Sequence, residues 1–352
     1  MSDCLKDTIN QIKSVSKELI LKAYERLDSL TKPKRSLGYL EELAARYVAI
    51  REEPRPIFRA KKVFVFAGDH KVVEEGVSAY PAEVTGLMVM NFLKGGAAIN
   101  VLARCAGAEV EVIDIGMATD PGDVKGLLRL NVKRGADNIA KGPAMSTYEA
   151  KKAIAVGVGR LNIAANMGVT LVATGEMGIG NTTPAAALYA AYLGLPVQEL
   201  VGPGTGLDAQ GVAKKAKVIE KALAVNKLKC KDPLETLAAL GGLEIAGICG
   251  LCLGAAARRI PVVVDGYIST AGALAAMKIC PASKDYMFFS HMSAEPGHRK
   301  FFERENLHPV LDLGMRLGEG SGAAIAMQII QDAVAIYNEM ATFADVGITP
   351  GA

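Results

Sequence analysis

Apolar residues recur at helical spacing near the start of the chain, as Leu5, Ile9 and Ile12 and then Leu19, Leu21, Ala23 and Leu27. Thr31-Lys32-Pro33 breaks the pattern, and a second helix is predicted over 37–51. From Lys62 the texture changes. VFVFAGDH (63–70) is a short apolar run that ends in a turn, as a strand buried on both faces does. The same form returns in EVEVIDIG (109–116), TLVATGE (170–176), PVVVDGY (261–267) and YMFFSH (286–291). Long Ala-rich helical segments lie between or after these runs, over 148–167, 184–192 and 209–223, and the end of the chain is helical again over 322–344. Buried strands alternating with helices predict a mostly parallel sheet covered on both faces, the doubly wound, Rossmann-like α/β class. Such sheets take their ligands outside the carboxyl ends of the strands, so chemistry is sought just after each run.

Half of the 352 residues are hydrophobic and 22% are charged, which excludes a disordered chain and suits one large domain with a smaller appendage. Forty Lys+Arg against 37 Asp+Glu leave a charge of only +3, and there is no Trp, so nucleic acid is not an expected partner. No apolar run is seen to reach the ~18–20 residues of a membrane span; the best candidate, 245–257, is interrupted by glycines and cysteines. The opening MSDCLKDTIN has no signal core, and a cytoplasmic location is expected. The six cysteines read as reduced, with Cys249-x-x-Cys252 in the core. His291 and His298 lack partners in metal-ligand spacing, so no metal is expected.

Three glycine-rich clusters follow strands or precede helices. In TGEMGIGNTTP (174–184), Glu176 lies in a tight loop before a helix that Thr182 or Thr183 would cap and Pro184 would start. In VGPGTGLDAQG (201–211), Gly202, Gly204 and Thr205 precede a helix carrying Lys214 and Lys215, a plausible phosphate cradle. In MRLGEGSGAA (315–324), Glu319 stands between glycines before an apolar helix, with Met315 and Leu317 as an apolar wall that would lift a general base's pKa. Plainer readings exist for each: a loop shaped for packing, a connection with surface lysines, and a carboxylate capping its own helix. Asp265 ends one strand. Asp69-His70 ends another, as an acid–base pair or as a pair that fixes its loop.

Read together, LTKPKRSLGYLE (30–41), FAGDHKVVEEGVSAYP (66–81), VIDIGM (112–117), GPAMS (142–146), GEMGIGNTTPAAA (175–187), VDGYIS (264–269), SHMSAEPGH (290–298) and RLGEGSGAA (316–324) resemble the nicotinate-nucleotide:dimethylbenzimidazole phosphoribosyltransferase family, over nearly the whole chain. The resemblance implies transfer of phosphoribose from nicotinate mononucleotide to an aromatic base in cobamide synthesis, without metal or other cofactor and with inversion at the anomeric carbon. It implies an α/β catalytic domain over 60–325 and a small helical domain from 1–59 plus 326–352. It also implies a homodimer, or a heterodimer of paralogous chains in phenol- and cresol-using relatives.

Matched by motif, Glu319 is the implied catalytic base and Glu176 assists from the opposite loop. Met177 and Leu317 flank the base, and Gly178 lies in the same loop. Gly202, Gly204, Thr205, Lys215 and Ser293 match the phosphate side, with Asp265 near the nucleotide. Tyr80 and Met88 stand where a serine and a glutamine face the base in a family member, which opens the choice among dimethylbenzimidazole, adenine and a phenol. Arg35 stands where the family pattern has glycine. A nicotinamide oxidoreductase would need a G-x-G-x-x-G that is absent. A non-catalytic subunit would not need both Glu176 and Glu319.

Overall fold

The apolar runs become strands of one parallel sheet because each is buried on both faces, the run 109–116 only from Val112 onward. The computed structural model describes residues 4–204 and 206–348. Its elements begin with α1 (Cys4–Gln11), α2 (Lys17–Ser29), α3 (Tyr39–Arg51), β1 (Ala60–Gly68), α4 (Val84–Lys94), α5 (Ala98–Cys105), β2 (Ala108–Gly116), β3 (Leu127–Arg129), α6 (Thr147–Asn166) and β4 (Val169–Met177). They continue with α7 (Thr182–Leu193), α8 (Ala209–Asn226), α9 (Pro233–Leu240), α10 (Leu243–Ala257), β5 (Val262–Val264), α11 (Tyr267–Ile279), β6 (Met287–Phe289), α12 (Pro296–Glu305) and α13 (Ser321–Glu339). The strand order is β3-β2-β1-β4-β5-β6, with every pairing parallel. The order reverses between β1 and β4, which opens a crevice at their carboxyl ends.

Side chains along β1 alternate between two cores. Phe64 and Phe66 pack with α6, α7, α10 and α11, whereas Val63, Val65 and Ala67 pack with α3 and α13. The helical stretch before Thr31 is two helices, since the Ser16 hydroxyl accepts the Leu19 N–H and starts α2 afresh. α2 is tied to the end of α13, where Arg26 Nε donates to Tyr337 O at 2.8 Å and Leu30 bridges Thr342. Leu5 of α1 packs instead with the α6 and α10 side of the sheet.

The 245–257 run is the body of α10, buried almost throughout. It lies so close to α6 that a Cβ on Gly250 would meet Ile154 O at 2.0 Å, and one on Gly157 would meet Gly247 O at 2.0 Å. Cys249 and Cys252 are buried there as free thiols. Another stretch, Val84–Cys105, does have the length and mean hydropathy of a span (22 residues, 1.3), which corrects the reading that no run reaches it. The chain breaks that stretch at Gly95, with φ 77°, into α4 and α5, whose Val89, Phe92, Ile99 and Ala103 are buried in the core. Arg35 has φ 61°, which explains the glycine of the family pattern. Its guanidinium offsets the strain by pairing with Asp28 at 2.9 Å and lying 3.7 Å over the Tyr24 ring.

Candidate active site

A cavity of about 490 Å³ opens at the carboxyl ends of β4, β5 and β6. Glu176, Met177, Gly178 and Ile179 line it from the end of β4, and Gly266 to Ile268 from beyond β5. His291, Ser293 and Glu295 follow β6, and the segment Arg316–Glu319 closes the far side. Tyr80, Val84 and Met88 stand at the rim; Tyr80 and Leu317 are more than half exposed, which makes this side open and apolar.

The two glutamates come from loops that touch. A Cβ on Gly318 would lie 2.3 Å from Glu176 Oε1, and one on Gly175 would lie 2.5 Å from Glu319 O, so glycine at both places brings the loops together. Glu176 is buried, and its Oε2 accepts a hydrogen bond from Asn181 Nδ2 at 2.5 Å. Burial pushes its pKa up to about 8; the Asn181 hydrogen bond opposes this, and the Asp265 and Glu244 charges add to it.

Glu319 has φ 65°, between Gly318 at 89° and Gly320 at 94°. A glutamate in this left-handed region is strained by about 1–2 kcal/mol, and the turn aims its side chain away from α13. Its Oε2 accepts the Ile99 N–H at 3.4 Å in the first turn of α5, so the carboxylate meets another helix's N-terminus and not its own. Burial raises its pKa, the Ile99 N–H opposes the shift and Asp265 adds to it.

Asp265, expected near the nucleotide, is buried immediately before Gly266 of the cavity wall. It does not line the cavity: Oδ2 accepts from Gly320 N at 3.0 Å and Oδ1 from Ala323 N at 2.9 Å. The residue expected beside the nucleotide therefore anchors the start of α13 and holds the Glu319 turn. The expected hydroxyl cap of α7 is also absent. Asn181 is the N-cap residue and makes no side-chain cap bond, while Thr182 Oγ1 accepts from Lys215 Nζ at 2.6 Å. The side chains of Asp69 and His70 hydrogen-bond elsewhere, although the Asp69 charge helps raise the His70 pKa. Asp69 Oδ2 accepts from Ala118 N at 2.8 Å, and His70 Nε2 lies 2.6 Å from Glu244 Oε1. Burial alone would lower the His70 pKa, but Glu244 raises it overall, and the pair fixes loops outside the cavity.

On the polar side Gly204 lines the cavity, with Gly202 and Lys215 directly behind it; Thr205 lies outside the described residues. Lys215 is 1% exposed, and burial pulls its ammonium down to about 8, with Glu295 opposing. Ser293 N donates to His298 Nδ1 at 2.9 Å. His298 is kept well below the usual histidine range by burial and by His291, so that nitrogen is free to accept. Sequence reasoning missed Asn181 and Glu295 as site residues. Both lay inside the motif strings, yet nothing local distinguished them from their neighbours.

A family model described as phosphoribosyltransferase (DBI_PRT) matches residues 12–348. The chain belongs to that phosphoribosyltransferase family. It is 53% identical over 349 residues to the nicotinate-nucleotide–dimethylbenzimidazole phosphoribosyltransferase of Chlorobaculum tepidum, covering 99% of each chain. It is 53% identical over 347 residues to the protein of the same name from Geobacter sulfurreducens, again covering 99% of each. The crystal structure of CobT from Thermus thermophilus superposes with a TM-score of 0.91 at 46% identity, over 95% of this chain and 100% of that one. The phosphoribosyltransferase fold expected from the sequence is therefore the fold of this chain.

Proposed function

We propose that this phosphoribosyltransferase moves phosphoribose from nicotinate mononucleotide to 5,6-dimethylbenzimidazole or a close analogue, giving the α-ribotide 5′-phosphate and nicotinate for cobamide assembly. The names of its full-length relatives support this reading over a phenol-specific or non-catalytic subunit. The observation that carries the mechanism is the Glu319 turn, a strained glutamate aimed into an apolar-rimmed cavity and held there by Asp265.

The base enters between Met88, Met177 and Leu317 at the open rim. Its ring nitrogen attacks the anomeric carbon of the ribose from the face opposite the pyridinium. The bond to nicotinate breaks, and its electron pair returns to the pyridine nitrogen, which loses its positive charge and needs no acid. Glu319 takes the proton that the azole must shed, a service worth ~10²–10⁴ in rate. Glu176, neutral below about pH 8, serves as a hydrogen-bonding group and not as a second base. Gly204, Lys215 and Ser293 receive the phosphate, with Gly202 shaping the loop behind them.

The enzyme is proposed to work in the cytoplasm as a homodimer. The exposed apolar side chains Tyr80, Leu87 and Leu317 beside the rim support a partner surface. The chain ends, 1–59 and 326–352, are proposed as a small helical unit beside the 60–325 domain. The α2 to α13 contacts support this grouping, although α1 packs on the other face.

The test is incubation of the purified chain with nicotinate mononucleotide and, separately, dimethylbenzimidazole, adenine and phenol, with products followed by chromatography. Nicotinate release and α-ribotide are expected with dimethylbenzimidazole. No product with any base, from a folded chain that binds the mononucleotide, would overturn the reading.

A further inference from the structure

On the glycine-loop side of the cavity, two charged side chains are only half satisfied. Glu295, in the turn between β6 and α12, is 5% exposed and faces the cavity. Its Oε1 accepts the Gly204 N–H at 2.9 Å, and its Oε2 is buried with no hydrogen-bond partner among the described residues. Oε2 rests against Gly202, where a Cβ would come within 2.2 Å of it. Lys215 lies behind the same loop. Its ammonium reaches Thr182 Oγ1 at 2.6 Å and Gly202 O at 3.5 Å, and both of these partners are uncharged. A Cβ on Gly204 would sit 3.1 Å from that ammonium. A buried carboxylate and a buried ammonium thus flank the same two glycines without pairing. Half-satisfied buried charges are costly, so their persistence here points to a ligand that completes them.

We propose that Glu295 is a placeholder for the donor's phosphate. Here its carboxylate occupies the Gly204 amide; an incoming phosphate takes that amide and pairs with Lys215, and Glu295 swings away. The proposal rests on the reading of the Gly202–Gly204 loop as the phosphate site. A phosphate and a carboxylate cannot share one N–H donor, and in a water-poor cavity their like charges repel strongly. The phosphate carries more charge and more acceptor oxygens, so it displaces the carboxylate. Two consequences follow. The loop is held in shape while the site is empty, and the grip on any phosphate ester is weakened, which speeds departure of the ribotide product through the same exchange.

The experiment compares the full-length wild type with Glu295→Gln by calorimetry, using inorganic phosphate, nicotinate mononucleotide and nicotinate riboside as probes. Glutamine fills the same space and still accepts from Gly204, but it neither repels phosphate nor holds the amide with a charge-assisted bond. The variant is expected to bind phosphate and the mononucleotide at least about fivefold more tightly, because a neutral acceptor competes less well for the N–H, with riboside affinity unchanged. Equal or weaker phosphate binding by Glu295→Gln would make Glu295 a fixed strut and overturn the proposal. Phosphate that fails to compete with the mononucleotide on the wild type would instead overturn the reading of the loop, and the placeholder with it.

Discussion

The loop after β4 and the turn before α13 touch and each bring one glutamate to the same cavity, yet they surround those glutamates differently. Glu176 is enclosed by Asn181, Gly318 and two further acids, and it holds its proton up to about pH 8. Glu319 is raised as well, but it lies at the N-terminal turn of α5 and accepts an N–H there, which favours its charged form. A general base must be ionised before it can act. What surrounds the two carboxyl groups thus supports the proposed division into a neutral partner and a base, and Asp265, behind both, sets the geometry of one and raises the pKa of each.

Glu319→Gln strikes the comparison hardest. Turnover should fall by ~10²–10⁴, the usual worth of a general base, while calorimetry shows mononucleotide binding unchanged.

Asp265→Asn comes next. One amide of the Glu319 turn loses its acceptor and a negative charge disappears, so kcat should drop by about 10- to 100-fold, in line with ~1.5–3 kcal/mol for a hydrogen bond to a charged group. The acid limb of the pH–rate profile should also move to lower pH, because the Asp265 charge no longer raises Glu319. A purely structural Asp265 would lower kcat without moving that limb.

Glu176→Gln sharpens the other half. The folded chain keeps the Glu176 proton to about pH 8, whereas the unfolded chain releases it near the ordinary glutamate value of 4.5. The group's contribution to stability is thus intact below about pH 4.5 and is lost as pH rises to about 8, by a few kcal/mol in all. Thermal melts should show the glutamine variant gaining on the wild type from pH 5 to pH 9, with kcat at pH 7 reduced less than about tenfold, since a neutral hydrogen-bonding group is retained. In both proteins kcat/KM for the mononucleotide should decline above about pH 8 as Lys215 loses its proton.

The smallest effect is expected away from the cavity. Arg35 shares the left-handed backbone of Glu319 but none of its surroundings. Arg35→Gly relieves strain and gives up the Asp28 pair and the Tyr24 stack, so stability should change by no more than about 1 kcal/mol with turnover unaffected.

The strands and the positions of the functional loops were legible in the sequence, because a strand buried on both faces is an unbroken apolar run whose end is marked by the first polar or glycine residues. β3 was not, since three edge residues make no pattern. α10 was seen only as an apolar run, since a helix buried on every side has no period. The tasks of individual acids were harder to read. Glu319 caps a helix 220 positions away in the chain, and Asp265 holds amides 55 and 58 positions away. Glu295 reaches a loop 91 positions away. Those partners are set by how the loops pack, and neither spacing nor periodicity encodes them.

The most direct test of the division of labour is a single-turnover measurement of nicotinate release at pH 7 with dimethylbenzimidazole, comparing Glu319→Gln with Glu176→Gln in one assay. The Glu319 variant is expected to be slower than the Glu176 variant by at least about tenfold, the margin left between loss of a base and loss of a neutral hydrogen-bonding partner. Equal rates, or a slower Glu176 variant, would contradict it.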